Sequence, residues 1–195
     1  MSNLVATSDQ ILASARNFIV AGGYNGFSYA DIAGEVGIRK ASIHHHFPSK
    51  VDLVRTLVAR HRERTEAGMA DLESKLSDPL ALLQTYADYW AKCIEDASVP
   101  FCVCALLASE LPALPAEIAV EVRAYFRFLS SWLTRVMEHG AEQGILGFAG
   151  SAELEAETFM ATVHGAMLSA RAYGNPAMFG TILTPTVQRL SRKVH

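Results

Sequence analysis

Apolar residues along the chain return every three or four positions, and no stretch alternates over strand length between turn signals. The pattern predicts an all-α protein of about nine helices. The first starts near Thr7, which with Gln10 fits a capping box; Ile11, Ala15, Phe18 and Ile19 form its apolar stripe, and Gly22-Gly23 end it. Ser28 caps a short second helix containing Ile32, Ala33 and Val36, and Gly37 closes it. A third covers about 39 to 46, and Pro48 cannot continue it. Ser49 caps a fourth, with Asp52 in its first turn favouring the helix dipole; no breaker but Gly68 intervenes before about Lys75.

Proline punctuates the rest. Pro79 opens a fifth helix to about Ala97, Pro100 and Pro112 bracket a short sixth, and Pro115 opens a seventh that ends near Gly144. In the seventh, Ile118, Val122, Tyr125, Phe126, Leu129, Trp132, Leu133 and Val136 keep helical spacing. An eighth runs from about Ser151 to Tyr173, where Gly174-Asn175-Pro176 break it, and a ninth covers about 177 to 192 with Pro185 as a kink. There is no internal repeat and no low-complexity segment.

One joint carries a stronger signal. Counting from Tyr29 as first of twenty positions, Ala33 is fifth, Gly37 ninth and Ile43 fifteenth. A small residue at Ala33 lets a second helix approach, Gly37 supplies a left-handed turn, and Ile32, Val36, Ile38 and Ile43 fill the joint. This is the spacing of a DNA-binding helix-turn-helix. The reading helix would be "RKASIHHHF", with three histidines in a row. At about 100° per residue from Ile43, His46 and Phe47 fall on the packed side, while His45 and Ala41 face outward and His44 and Ser42 flank them. A chelating pair on a helix wants i, i+4 spacing, so adjacent histidines argue against a metal. No cofactor is expected.

Charge supports the same reading. The net charge is −3, but residues 1–64 hold eight Lys/Arg against five Asp/Glu and four of the seven histidines, while the remainder is acidic. A mildly basic head on an acidic body suits a small nucleic-acid-facing module joined to a larger one. The N-terminal stretch lacks a signal-peptide layout, and the longest apolar run, "VPFCVCALLA", is too short to span a bilayer, so a cytoplasmic protein with no membrane partner is expected. Three cysteines in a reducing compartment imply no disulfide framework.

The segment "GGYNGFSYADIAGEVGIRKASIHHHFPSKVDLV", residues 22 to 54, resembles the TetR/AcrR family of transcriptional regulators. It carries the family's glycine–aromatic, Ile-Ala, Val-Gly-Ile, His-Phe and Ser-Lys pattern. The resemblance implies a three-helix DNA-binding domain over residues 1–50 and a helical ligand-binding and dimerisation domain over 51–195. The candidate DNA contacts are Ser28, Tyr29, Arg39, Lys40, Ala41, Ser42, His44, His45 and Lys50, with Lys50 on a phosphate as the family's lysine is. Three positions depart from the family: Arg39 replaces Ser/Thr, Ala41 replaces Gly, and His44 replaces a phosphate-holding Tyr. They bear on which operator is read.

In the body, Tyr86, Tyr89, Trp90, Cys93, Phe101, Cys102, Cys104, Phe126 and Trp132 cluster on the fifth to seventh helices. These residues build either an ordinary core or an apolar cavity for a small-molecule effector. The stretch "PFCVCALLASELPALP" is similar to a TetR subgroup with a cysteine-bearing sixth helix, some members of which sense electrophiles. Cys102 and Cys104 share no helical face, and no Lys or Arg beside them lowers a thiol pKa. On the eighth helix Ala161, Gly165 and Ser169 leave room for close helix approach, and the resemblance places a homodimer interface there.

Two other classes stay in view. An enzyme built on Glu110, His139, His164 and the cysteines lacks any motif at useful spacing, so no catalytic residue is expected. A helical adaptor binding protein partners would lack the steep salt dependence of DNA binding. The expected function is a homodimeric repressor that leaves its double-stranded operator when a small apolar or electrophilic effector binds; a thiol-based sensor with Cys102 and Cys104 as its switch is a further alternative.

Overall fold

The pattern of turns and caps is realised in a computed structural model of the chain, which describes the backbone of residues 2–192 and the side chains of residues 6–192. Among the described residues the order is α1 (Ser2–Gly22), α2 (Tyr29–Val36), α3 (Lys40–His46), α4 (Lys50–Lys75), α5 (Pro79–Glu95), α6 (Val103–Ser109), α7 (Ala116–Glu142), α8 (Ala152–Tyr173) and α9 (Ala177–Leu190). Short 3-10 turns occupy Tyr24–Gly26 and Leu111–Ala113. The backbone divides into two compact units: Met1–Arg64 with Cys102–Tyr125, and Thr65–Phe101 with Phe126–His195. No helix described is long and apolar enough to cross a membrane.

The first helix departs from expectation. It starts at Ser2, so Thr7 lies inside it and is no cap. Nothing in the preceding residues breaks a helix, and each added residue gains a backbone bond once a turn exists. The next caps form as their residue types require. Ser28 and Asp31 make a full capping box: the Ser28 backbone N–H donates to Asp31 Oδ2 at 2.7 Å, and Ser28 Oγ accepts from the Ala30 N–H at 3.2 Å. The Ser28 hydroxyl, which donates to the same carboxylate, and then the Ser28 N–H hold the Asp31 carboxyl below its ordinary pKa. Gly37 closes α2 at φ 73°, a conformation that costs glycine nothing and a β-carbon residue dearly. Ser49 accepts from the Asp52 N–H at 3.1 Å and donates to its carboxylate at 2.6 Å, which opens α4.

Within the first unit α1, α2 and α3 pack around Ile11, Ala15, Ile19, Ile32 and Ile43, all fully buried. Each buried isoleucine contributes about 1.5–3 kcal/mol, so the reading helix α3 is held chiefly through Ile43, with Phe47 next to it in the core. Ser14 on α1 donates to Glu35 on α2 at 3.0 Å, and Arg60 on α4 pairs with Asp9 on α1 at 2.8 Å.

The second unit packs α8 on α9 and α5 on α9. Its core holds Leu83, Trp90, Trp132, Phe159, Met167 and Phe179. Asp78 caps α5 by accepting from the Leu80 N–H at 2.9 Å, with Pro79 in its first turn. Glu155 on α8 is buried and bonded to Arg189 on α9 at 2.8 Å. Pro185 sits inside α9 without ending it. The end of α9 is tied down by Gly147 N–H to the Leu190 carbonyl at 2.8 Å and Arg192 N–H to the Ile145 carbonyl at 2.9 Å.

Candidate functional site

Helix α3 stands free of the packing on one side. Arg39, Lys40, Ala41, His44 and His45 are exposed, Ser42 and His46 half-buried, and Ile43 and Phe47 buried. This is the orientation expected from the 100° rotation per residue. The outward surface therefore offers two cations at the start of the helix, one methyl group and two imidazoles.

The histidines differ in what they can still do. His44 Nδ1 lies 3.1 Å from the Pro48 carbonyl, and its ring meets Tyr29 edge-on at 4.8 Å. A carbonyl only accepts, so Nδ1 carries the proton. Nε2 is then an acceptor in the neutral ring and a donor only in the charged one. His45 and His46 rings lie 5.8 Å apart at 74°, leaving the exposed His45 edge to the outside.

Tyr29, one of the candidate DNA contacts, is taken up by the packing of the head. It is only 6% exposed, and its hydroxyl donates to the Phe47 carbonyl at 2.9 Å, tying α2 to the end of α3. Burial, then the Asp52 charge and Tyr24, push its pKa up to about 12, so the hydroxyl stays a donor. Ser28 is exposed, but its hydroxyl proton is committed to Asp31 at 2.7 Å. Lys50, the candidate phosphate contact, has partners inside the head. Its ammonium donates to the Phe27 carbonyl and sits 4.0 Å from the Phe27 ring centroid and 4.9 Å from that of Tyr24. Burial lowers its pKa, and the Asp31 carboxylate pulls partly back.

A residue without a sequence motif completes this clamp. Glu110, just after α6, accepts the Tyr24 backbone N–H at 2.8 Å. A β-carbon at Gly23, φ 77°, would come 1.9 Å from Glu110 Oε1, so a larger residue there would strain the backbone and push the carboxylate aside. The one signal was the Gly22-Gly23 pair, where a single glycine ends a helix well enough.

The candidate effector residues separate. In the second unit Tyr86, Trp90, Cys93, Phe101 and Trp132 are buried and Phe126 half-buried, whereas Tyr89 is 55% exposed and lines no interior. The Tyr86 ring stands 5.8 Å from Trp132. Cys102 and Cys104 belong to the first unit, fully buried. Cys102 Sγ lies 3.7 Å from the Tyr125 hydroxyl. Burial, followed by its hydrogen bond with Cys102, raises the Cys104 thiol well above its ordinary pKa. On α8, Ala161 and Gly165 are exposed and Ser169 half-buried.

Comparison with known proteins fits this geometry. The family model described as "Bacterial regulatory proteins, tetR family" matches residues 11–57, which span the buried head and the outward α3. A TetR-family transcriptional regulator from Agrobacterium tumefaciens has a crystal structure similar to this one at a TM-score of 0.94. It shares 58% identity, with 97% of this chain and 100% of that chain covered. The chain belongs to the TetR family. A TetR regulator from Legionella pneumophila is similar at 28% identity and TM-score 0.83, covering 93% of this chain and 96% of that one. The HTH-type transcriptional regulator CymR of Pseudomonas putida is 32% identical over 71 residues, 34% of this chain, and the match spans about a third of CymR's length (35%). This TetR-family chain is thus a transcriptional regulator with a DNA-binding helix-turn-helix, all-α with no strand among its described residues.

Proposed function

We propose that the protein is a homodimeric, cytoplasmic repressor that reads its operator through α3 and is released from it by a small effector bound in the second unit. The observation that carries the DNA half is the burial pattern of α3, with Ile43 and Phe47 inside and Arg39, Lys40, Ala41 and His45 outside. Arg39 and Lys40 meet phosphates, Ala41 offers a methyl to a thymine, and His45 bonds a base edge. His44 takes the phosphate position in its charged form.

Dimerisation is supported by α8. Leu154, Ala161, Gly165 and Leu168 recur on one face, and Leu154 and Leu168 are 60% and 58% exposed. Large apolar residues beside small ones, open to solvent, suit a helix that meets its copy. Two heads related by a twofold axis would read half-sites about 34–36 Å apart. Release would be a population shift: the effector favours a conformation whose heads no longer match adjacent major grooves. Buried Cys102 and Cys104 support an apolar effector over a thiol switch.

Selection of DNA with the purified protein, then titration of the selected operator, tests this reading. His45→Ala should cost about 1–3 kcal/mol on the selected site and far less on random DNA. Equal loss on both, or selection of no site at all, rejects it.

A further inference from the structure

The second unit buries polar groups that its own residues do not use. Trp90 on α5 and Trp132 on α7 are 3% and 1% exposed, and the Nε1 of each is sealed from solvent with no hydrogen-bond partner among the described residues. His164 on α8 holds a shielded Nε2 in the same condition. The two tryptophans flank Tyr86. The Tyr86 ring stands 5.8 Å from Trp132 and 6.5 Å from Phe159 of α8, and Trp90 follows Tyr86 by one turn on the same face of α5. The His164 ring lies 5.3 Å from Phe126 of α7.

An unpaired buried donor is a net cost to a fold. Phenylalanine at either tryptophan would remove that cost and keep most of the apolar bulk. We propose that the cluster is the effector site, and that it takes a neutral, aromatic-sized molecule bearing carbonyl-type acceptors. This rests on the ligand-responsive reading given above. The argument for class is one of complementarity. Indole N–H groups only donate, so the ligand must accept. A hydrocarbon would leave both donors unpaired. A carboxylate would lose its hydration with no permanent cation to meet it, because no Lys or Arg is among the buried residues described. The rings of Tyr86 and Phe159 supply apolar walls for the ligand's own ring.

The chain has two tryptophans, and both lie in this cluster, so nitrogen–proton correlation spectra of the intact protein report the site through two indole signals. The probes are two matched sets: acetophenone, ethylbenzene and benzoate, then benzophenone, diphenylmethane and diphenylacetate. The ketone of at least one set should bind about tenfold more tightly than its hydrocarbon and its carboxylate. It should also move an indole N–H signal downfield. Trp132→Phe should reduce the ketone preference to about threefold or less while leaving hydrocarbon binding within about twofold. Trp90→Phe carries the same test if the first variant does not fold. The proposal is overturned if hydrocarbon or carboxylate binds best, if neither indole signal moves, or if no probe binds. Operator release by a compound that leaves both indole signals in place also overturns it, while keeping the regulatory reading. Ketone binding with the indole shifts, in a protein that selects no DNA, upholds the ligand class and rejects that reading instead.

Discussion

Lys50 offers the sharpest test of how the head is built, because its ammonium can hold the head together or meet a phosphate. Its place at the start of α4 suggested a phosphate contact, yet its ammonium is bonded to the Phe27 carbonyl above the Tyr24 and Phe27 rings. A charge-assisted hydrogen bond contributes about 1.5–3 kcal/mol, and a cation over an aromatic face at a partly exposed site about 0.5–1 kcal/mol. Desolvation offsets part of this, as the lowered pKa of the ammonium shows. Lys50→Met keeps the aliphatic stem and removes the charge, so the net loss should be about 1–2 kcal/mol. For a chain of this size that lowers Tm by about 2–8 °C. Urea and thermal melts measure it. Operator titrations from 50 to 200 mM salt measure the other assignment, since each phosphate contact adds about 0.9 to the slope of log K against log salt. With the ammonium occupied inside the head, the slope should change by less than about 0.3. A variant that melts like the parent yet loses about 0.9 in slope would show that the lysine serves DNA, and the clamp would be refuted.

Gly165→Leu should abolish the proposed dimer without unfolding the protomer. A β-carbon there meets nothing within 4 Å in the single chain, so sedimentation should report a folded monomer with operator affinity down about tenfold or more; a dimer of unchanged affinity would place the interface elsewhere. The cysteines should be inert in the native state, because all three are buried and burial holds the Cys104 thiol protonated well past its ordinary range. An aromatic disulfide reagent at pH 8 should modify them only as fast as the protein unfolds, and rapid labelling of the folded protein would reopen the thiol-switch reading.

Much of this protein is written locally. Ser28, Gly37, Pro48, Ser49 and Pro79 each act on the backbone within a turn of themselves, so the bounds of α2 to α5 follow from residue type and spacing. The outward face of α3 follows from the fixed rotation per residue once Ile43 is taken as buried. A start for α1 at Thr7 failed for the same local reason read the other way: a possible cap does not stop a helix that can go on.

What the chain could not announce are the partners that meet from distant places. The Tyr29 hydroxyl finds the Phe47 carbonyl, the Lys50 ammonium the Phe27 carbonyl, and Glu110 the Tyr24 N–H across 86 positions. Each of these side chains could have served DNA, solvent or catalysis as well. Which it does depends on whether tertiary packing brings an unpaired backbone group within about 3 Å of it. Tyr89 and Tyr86 make the same point, three positions apart on α5: one lies outside and one lies in the core. Periodicity says that a helix has a buried side, and only the helices packed against it decide how wide that side is.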